Sequence, residues 1–94
     1  MLAVLERVRQ RVVNGDWRNT PFNNVEGLEK APGCLAQLCF QEDPTSEHSV
    51  FNFIMDTEFP RGGIFNWNDN PSRTAQDVID LLDRVIARQI NGQN

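Results

Sequence analysis

Tyrosine is absent from this chain, and it holds only one histidine, two cysteines and two tryptophans. Without Tyr there is no phenolic acid or base to recruit. A metal site around Cys34 and Cys39 would need more ligands than the lone His48 supplies, so neither a metal nor a cofactor is expected. No apolar run approaches the length that crosses a membrane. The apolar residues at the start are interrupted by Glu6, Arg7, Arg9 and Arg11, which does not suit an export signal. Cys34 and Cys39 lie in an apolar stretch and read as reduced core thiols of a cytoplasmic protein.

Basic charge is also missing where it would matter for nucleic acid. The net charge is −4, and no Lys or Arg occurs between Lys30 and Arg61. Glu42, Asp43, Glu47, Asp56 and Glu58 all fall in that interval. Gripping phosphates needs clustered Lys and Arg, so direct nucleic-acid binding is not expected. The acidic block reads either as a solvated face or as a surface for a basic partner.

What is present suits one small domain over residues 1–94. Two Trp and six Phe help a short chain build its core. From Leu2 to Val13, the residues Met1, Val4, Leu5, Val8 and Val12 share one side of a helical wheel, with Glu6, Arg7 and Gln10 opposite. Asn14-Gly15 then closes the helix, since Gly adopts the left-handed conformation at little cost. Residues 16–32 read as a loop whose apolar members Trp17, Phe22, Val25 and Leu28 show no sustained period. Trp17 and Phe22 are expected to pin it to the core.

Two segments are ambiguous. In 34–40, the set Cys34, Leu35, Leu38 and Cys39 suits a helix, while Cys34, Ala36, Leu38 and Phe40 suit a strand. In 49–55, Val50, Phe51 and Ile54 suit a helix, while Phe51, Phe53 and Met55 suit a strand. Period alone does not decide runs this short. Residues 59–72 read as a second loop that carries Phe59, Ile64, Phe65 and Trp67 and should therefore pack on the body. The last helix is the clearest element. Thr74 caps it, Asp77 sits where it can reach back, and Val78, Ile79, Leu81, Leu82, Val85, Ile86 and Ile90 cover half the wheel.

The run Trp67-Asn68-Asp69-Asn70-Pro71-Ser72-Arg73-Thr74 ahead of that helix resembles the signature of a family of small uncharacterised bacterial proteins. In that family a Trp-Asn-Asp-x-Pro-x-Arg-Thr motif precedes a terminal amphipathic helix. Gly15-Asp16-Trp17 echoes the family's Gly-Trp pair with an Asp inserted. Cys34-Leu35-Ala36-Gln37-Leu38 partly matches its Cys-Leu-x-Gly-Ala-Leu helix, without the Gly. The resemblance implies an all-helical fold and no activity, the family being a domain of unknown function.

Few residues suggest chemistry. A Cys34–His48 nucleophile pair lacks a third, orienting group. Glu42-Asp43 beside Pro44 reads as a wet turn, unsuited to paired-carboxylate acid–base work. Arg61-Gly62-Gly63 is too short for a phosphate loop and reads as a bend. No catalytic set is therefore assigned. The motif reads as a lock: Trp67 the plug, Asp69 and Arg73 the clasp, Thr74 the cap. Arg73 alternatively caps the C-terminal end of another helix. The functional alternative is a recognition surface formed by Trp67, Asn68, Asp69 and Arg73, with Trp17 beside them.

The expected fold is all-α, three or four helices with two long packed loops; the alternative is α+β with a hairpin over 34–55. The expected function is a non-enzymatic protein-interaction module whose partner is another protein. Two alternatives remain. One is a small enzyme or ligand binder with its site at loops 16–32 and 59–72. The other is an acidic inhibitor protein from a phage or mobile element.

Overall fold

In the computed structural model, which describes residues 1–22 and 30–92, five α-helices surround one apolar core. They are α1 (Leu2–Val13), α2 (Leu35–Glu42), α3 (Ser49–Glu58), α4 (Ile64–Asp69) and α5 (Ala75–Asn91). The fold is all-α, and no strand occurs among the described residues. Both ambiguous segments are helical, so the hairpin over 34–55 is excluded. The structure adds a helix that the sequence reading left inside the 59–72 loop. Val25 and Leu28 lie outside the described residues.

The long amphipathic helix forms the floor of the molecule. Val78, Leu81, Leu82 and Val85 are buried along α5 and meet Val4, Leu5, Val8 and Val12 of α1. The apolar stripe ends sooner than the wheel suggests, because Ile90 is exposed. Thr74 and Asp77 form a reciprocal capping box: the Thr74 hydroxyl accepts from the Asp77 N–H, and an Asp77 carboxylate oxygen accepts from the Thr74 N–H. Two of the donors left open at a helix start are thereby satisfied.

α2 lies across α1 and is almost wholly buried, from Leu35 through Cys39. That explains its ambiguous pattern, since a helix covered on most sides has no polar face to mark its period. α3 packs on α2 and α5 through Val50 and Ile54. Gly63, with φ of 91°, launches α4 from a left-handed position that favours glycine. Gly15 takes φ of 90° just past α1, as its place after Asn14 suggests.

Arginines tie neighbouring helices at their edges. Arg9 of α1 meets Asp83 of α5 at 2.7 Å. Arg84 and Arg88 of α5 converge on Glu58 of α3. The exposed Arg9–Asp83 pair contributes little stability on its own.

Leu82 is fully buried near the middle of the α1–α5 contact. Leu82→Ala should cost about 2–5 kcal/mol, the range for truncating a buried leucine. Thermal or denaturant melting checks this; an unchanged midpoint would mean that α5 does not hold the core.

Candidate functional site

Several polar groups of this chain meet at the junction of α4 with the starts of α2 and of the segment after α1. The side-chain oxygen of Asn68 accepts from the Trp17 indole N–H at 2.7 Å and from the Leu35 backbone N–H at 3.0 Å. Its amide nitrogen donates to the Arg18 carbonyl at 3.1 Å and reaches the Thr20 carbonyl and the Asp69 carboxylate. Both donors can only donate and both carbonyls can only accept, so the orientation of the amide is determined. Asn68 is 1% exposed. Cys34, at the N-cap of α2, makes no side-chain cap; Asn68 supplies an acceptor there from another helix.

The backbone next to this junction is clasped in both directions. The Arg18 N–H donates to the Gly33 carbonyl, and the Gly33 N–H donates to the Asp16 carbonyl. Trp17, 8% exposed, is thus fixed by its backbone neighbours, its ring and its indole N–H.

A second buried centre forms around Arg11. Its guanidinium donates to Asp16 at 2.7 Å, to Gln41 at 2.6 Å and to the Lys30 carbonyl at 2.9 Å, with Glu42 at 3.3 Å. Glu42 also faces Arg7 and Lys30. The sequence reading of Glu42-Asp43 as a wet turn therefore fails for Glu42, which is buried among cations. The sign was present in the sequence: Arg11 sits beside Val12 and one turn after Val8, inside the apolar stripe of α1.

Asp43 faces the other way and builds the start of α3. Its carboxylate accepts from the Val50 N–H, the Thr45 N–H and the Thr45 hydroxyl. Burial pushes the carboxyl up, but these hydrogen bonds and the nearby His48 outweigh it and hold Asp43 below the ordinary carboxylate range. His48, at φ of 53°, stands just before the first turn of α3. It is exposed, and its ring rests 4.5 Å from Phe40.

The lock reading of the motif is right in outline and different in detail. Trp67 is half-buried between Phe59, 5.6 Å away edge-on, and the Arg73 guanidinium, 4.1 Å above its ring. Arg73 Nε donates to the Trp67 carbonyl in the last turn of α4, so it caps that helix. Its carboxylate neighbour is Asp77 at 3.8 Å. Among the described residues Asp69 does not pair with Arg73; its carboxylate accepts from Asn68 instead.

Cys34 and Cys39 are both buried and unbonded. Burial pushes the Cys34 thiol up, and the Cys39 thiol much further. That is opposite to the shift that activates a nucleophile. Among the described residues, no three His, Cys, Asp or Glu side chains are placed to hold a metal ion.

One surface feature was not read from the sequence at all. Phe22, Phe40, Phe51 and Phe65 form a continuous row, with ring centroids 5.5, 5.0 and 6.3 Å apart in turn. They come from the segment after α1, from α2, from α3 and from α4. Phe22 and Phe65 are 38% and 45% exposed, and the two between are half-buried. Four aromatic residues scattered over forty-odd positions carry no local pattern, so only the packing of three helices reveals the row.

Fold and site together define a small all-α bundle whose buried polar residues are spent on joining its segments. The chain belongs to DUF6197, a family of unknown function, whose model matches residues 1–88. No curated protein and no solved structure matches it.

Two outcomes test this account of the polar residues. Asn68→Asp keeps the shape but cannot donate, leaving the Arg18 carbonyl unpaired beside a carboxylate. It should cost about 1–3 kcal/mol in denaturant melts, the cost of a buried unsatisfied group. For Asp43 the folded pKa lies below the unfolded value, so its contribution is present above the unfolded value of about 3.9. It is lost as pH falls through the folded value. The stability gap between wild type and Asp43→Asn should therefore be widest near neutral pH and close in strong acid.

Proposed function

We propose that this protein is a non-enzymatic interaction module that works by contact with another protein. The observation that supports this reading is the aromatic row of Phe22, Phe40, Phe51 and Phe65. Singly exposed apolar residues are ordinary on a protein surface, but a connected row of rings has the make-up of an interface core. The groups that an enzyme would draw on are engaged elsewhere: Arg11 and Glu42 with each other, Asp43 at a helix start, and both thiols in the interior.

Within this reading the five motif residues divide by position. Trp17 and Asn68 hold the junction from inside. Trp67, Asp69 and Arg73 hold α4 at its edge, and α4 presents Phe65 outward. The small-ligand alternative at loops 16–32 and 59–72 includes residues 23–29, which lie outside the described residues. Two of the five acidic residues in the middle of the chain, Glu42 and Glu58, are paired with arginines.

The reading is tested by affinity capture from the native host, followed by reconstitution with the purified partner. Phe65→Ser should keep the melting temperature and weaken the reconstituted complex by about tenfold or more, as for a residue near an interface centre. Trp67→Ala should lower the melting temperature first. A complex unaffected by Phe65→Ser, or a metabolite whose stabilising effect depends on Arg73, would overturn the reading.

A further inference from the structure

The chemistry around the aromatic row says what kind of protein it receives. The three helices that contribute Phe40, Phe51 and Phe65 contain no Lys or Arg. The Lys or Arg nearest in sequence to any of them is Arg61, in the turn ahead of α4. The acidic residues on and beside these helices fall into two groups. Glu42 and Glu58 are each met by arginines of α1 or α5. Asp43, Glu47, Asp56 and Asp69 have no cationic Lys or Arg partner among the described residues.

Two of those four acids adjoin residues of the row in the chain. The His48 ring rests 4.5 Å from that of Phe40. Glu47 is the exposed residue just before His48. Asp69 lies one turn beyond Phe65 on α4, hence on the same face of that helix. The row is thus an apolar strip with two acids that lack a Lys or Arg partner among the described residues: Glu47, beside the histidine that rests on Phe40, and Asp69, one turn from Phe65.

We infer that the row receives a basic amphipathic helix of another protein, its apolar side chains on the phenylalanines and its Lys or Arg residues on the acidic flanks. This rests on the protein-contact reading above and names the partner class. A second copy of this chain fits poorly. A two-fold interface sets the same patch against itself, so it would bring the acids Glu47 and Asp69 of both copies to one apolar contact, in a molecule of net charge −4. A basic helix turns the same flanks into attraction and gains in association rate.

The probe is a synthetic Lys–Leu peptide of about 15 residues with leucines on one helical face. A Glu–Leu peptide of the same pattern serves as its counterpart. Binding to the full chain is followed by fluorescence anisotropy at about 50 and about 200 mM salt. The Lys–Leu peptide should bind, more weakly at the higher salt, and the Glu–Leu peptide should not. Phe65→Ser and Phe22→Ser, both at exposed positions, should each weaken binding about tenfold with melting unchanged. Glu47→Gln with Asp69→Asn should weaken it at low salt and flatten the salt dependence.

Several outcomes overturn the inference. They are no binding of the Lys–Leu peptide, equal binding of both peptides, and binding indifferent to the phenylalanine variants. Sedimentation that shows a dimer abolished by Phe65→Ser would assign the row to a second copy, leaving the contact reading standing and ending this one. Failure of the contact reading itself is read separately, from the reconstituted native complex.

Discussion

The side chain of Asn68 joins pieces of chain that would otherwise have no reason to meet. Its oxygen takes a hydrogen bond from Trp17, fifty-one residues earlier, and another from the first N–H of α2. Its amide returns one to the Arg18 carbonyl. A buried amide in this position must find both its donors and its acceptors, because each one left open carries a desolvation penalty. The demand acts as a constraint on geometry. α4 has to approach from one side, Trp17 from another, and α2 has to begin where it does. The remaining contacts of the junction follow: the clasp between residues 16–18 and Gly33, and the cap that Arg73 places on α4.

Arg11 does the same at the other end of α2. It gathers Asp16, Gln41, Glu42 and the Lys30 carbonyl around one planar group with five donors. Buried pairs of this kind are weak evidence for added stability. What they supply here is registration: α1, α2 and the segment after α1 can be satisfied together in only one arrangement. With these residues committed inward, the surface that remains distinctive is apolar and acidic, which is why the functional reading falls on the phenylalanine row and not on the motif.

Much of the fold was legible because amphipathic helices announce themselves. α1 and α5 have clear polar faces, and the Thr74–Asp77 box marks the start of α5 in the sequence itself. α2 was not legible because burial on most sides erased its polar face. α4 was missed for a related reason. It is only six residues long, and its inward positions are Ile64 and Asn68. An inward asparagine looks like a turn former until its partners are seen. The role of the motif was half-visible: Trp67 and Arg73 do belong together, but the arginine stacks on the ring and caps the helix instead of pairing with Asp69.

Local pattern was enough for the two amphipathic helices at either end of the chain, since these depend on periodicity and capping, but it left 34–40 and 49–55 open between helix and strand. Tertiary structure alone decided which polar groups are interior, that Glu42 and Glu58 are neutralised while Glu47 and Asp56 are not, and that four distant phenylalanines stand in one row. The physical reason is range. Helix propensity and capping act over a few neighbouring residues, whereas hydrogen-bond satisfaction, charge compensation and ring contact depend on distances in space that folding sets between residues far apart in the chain.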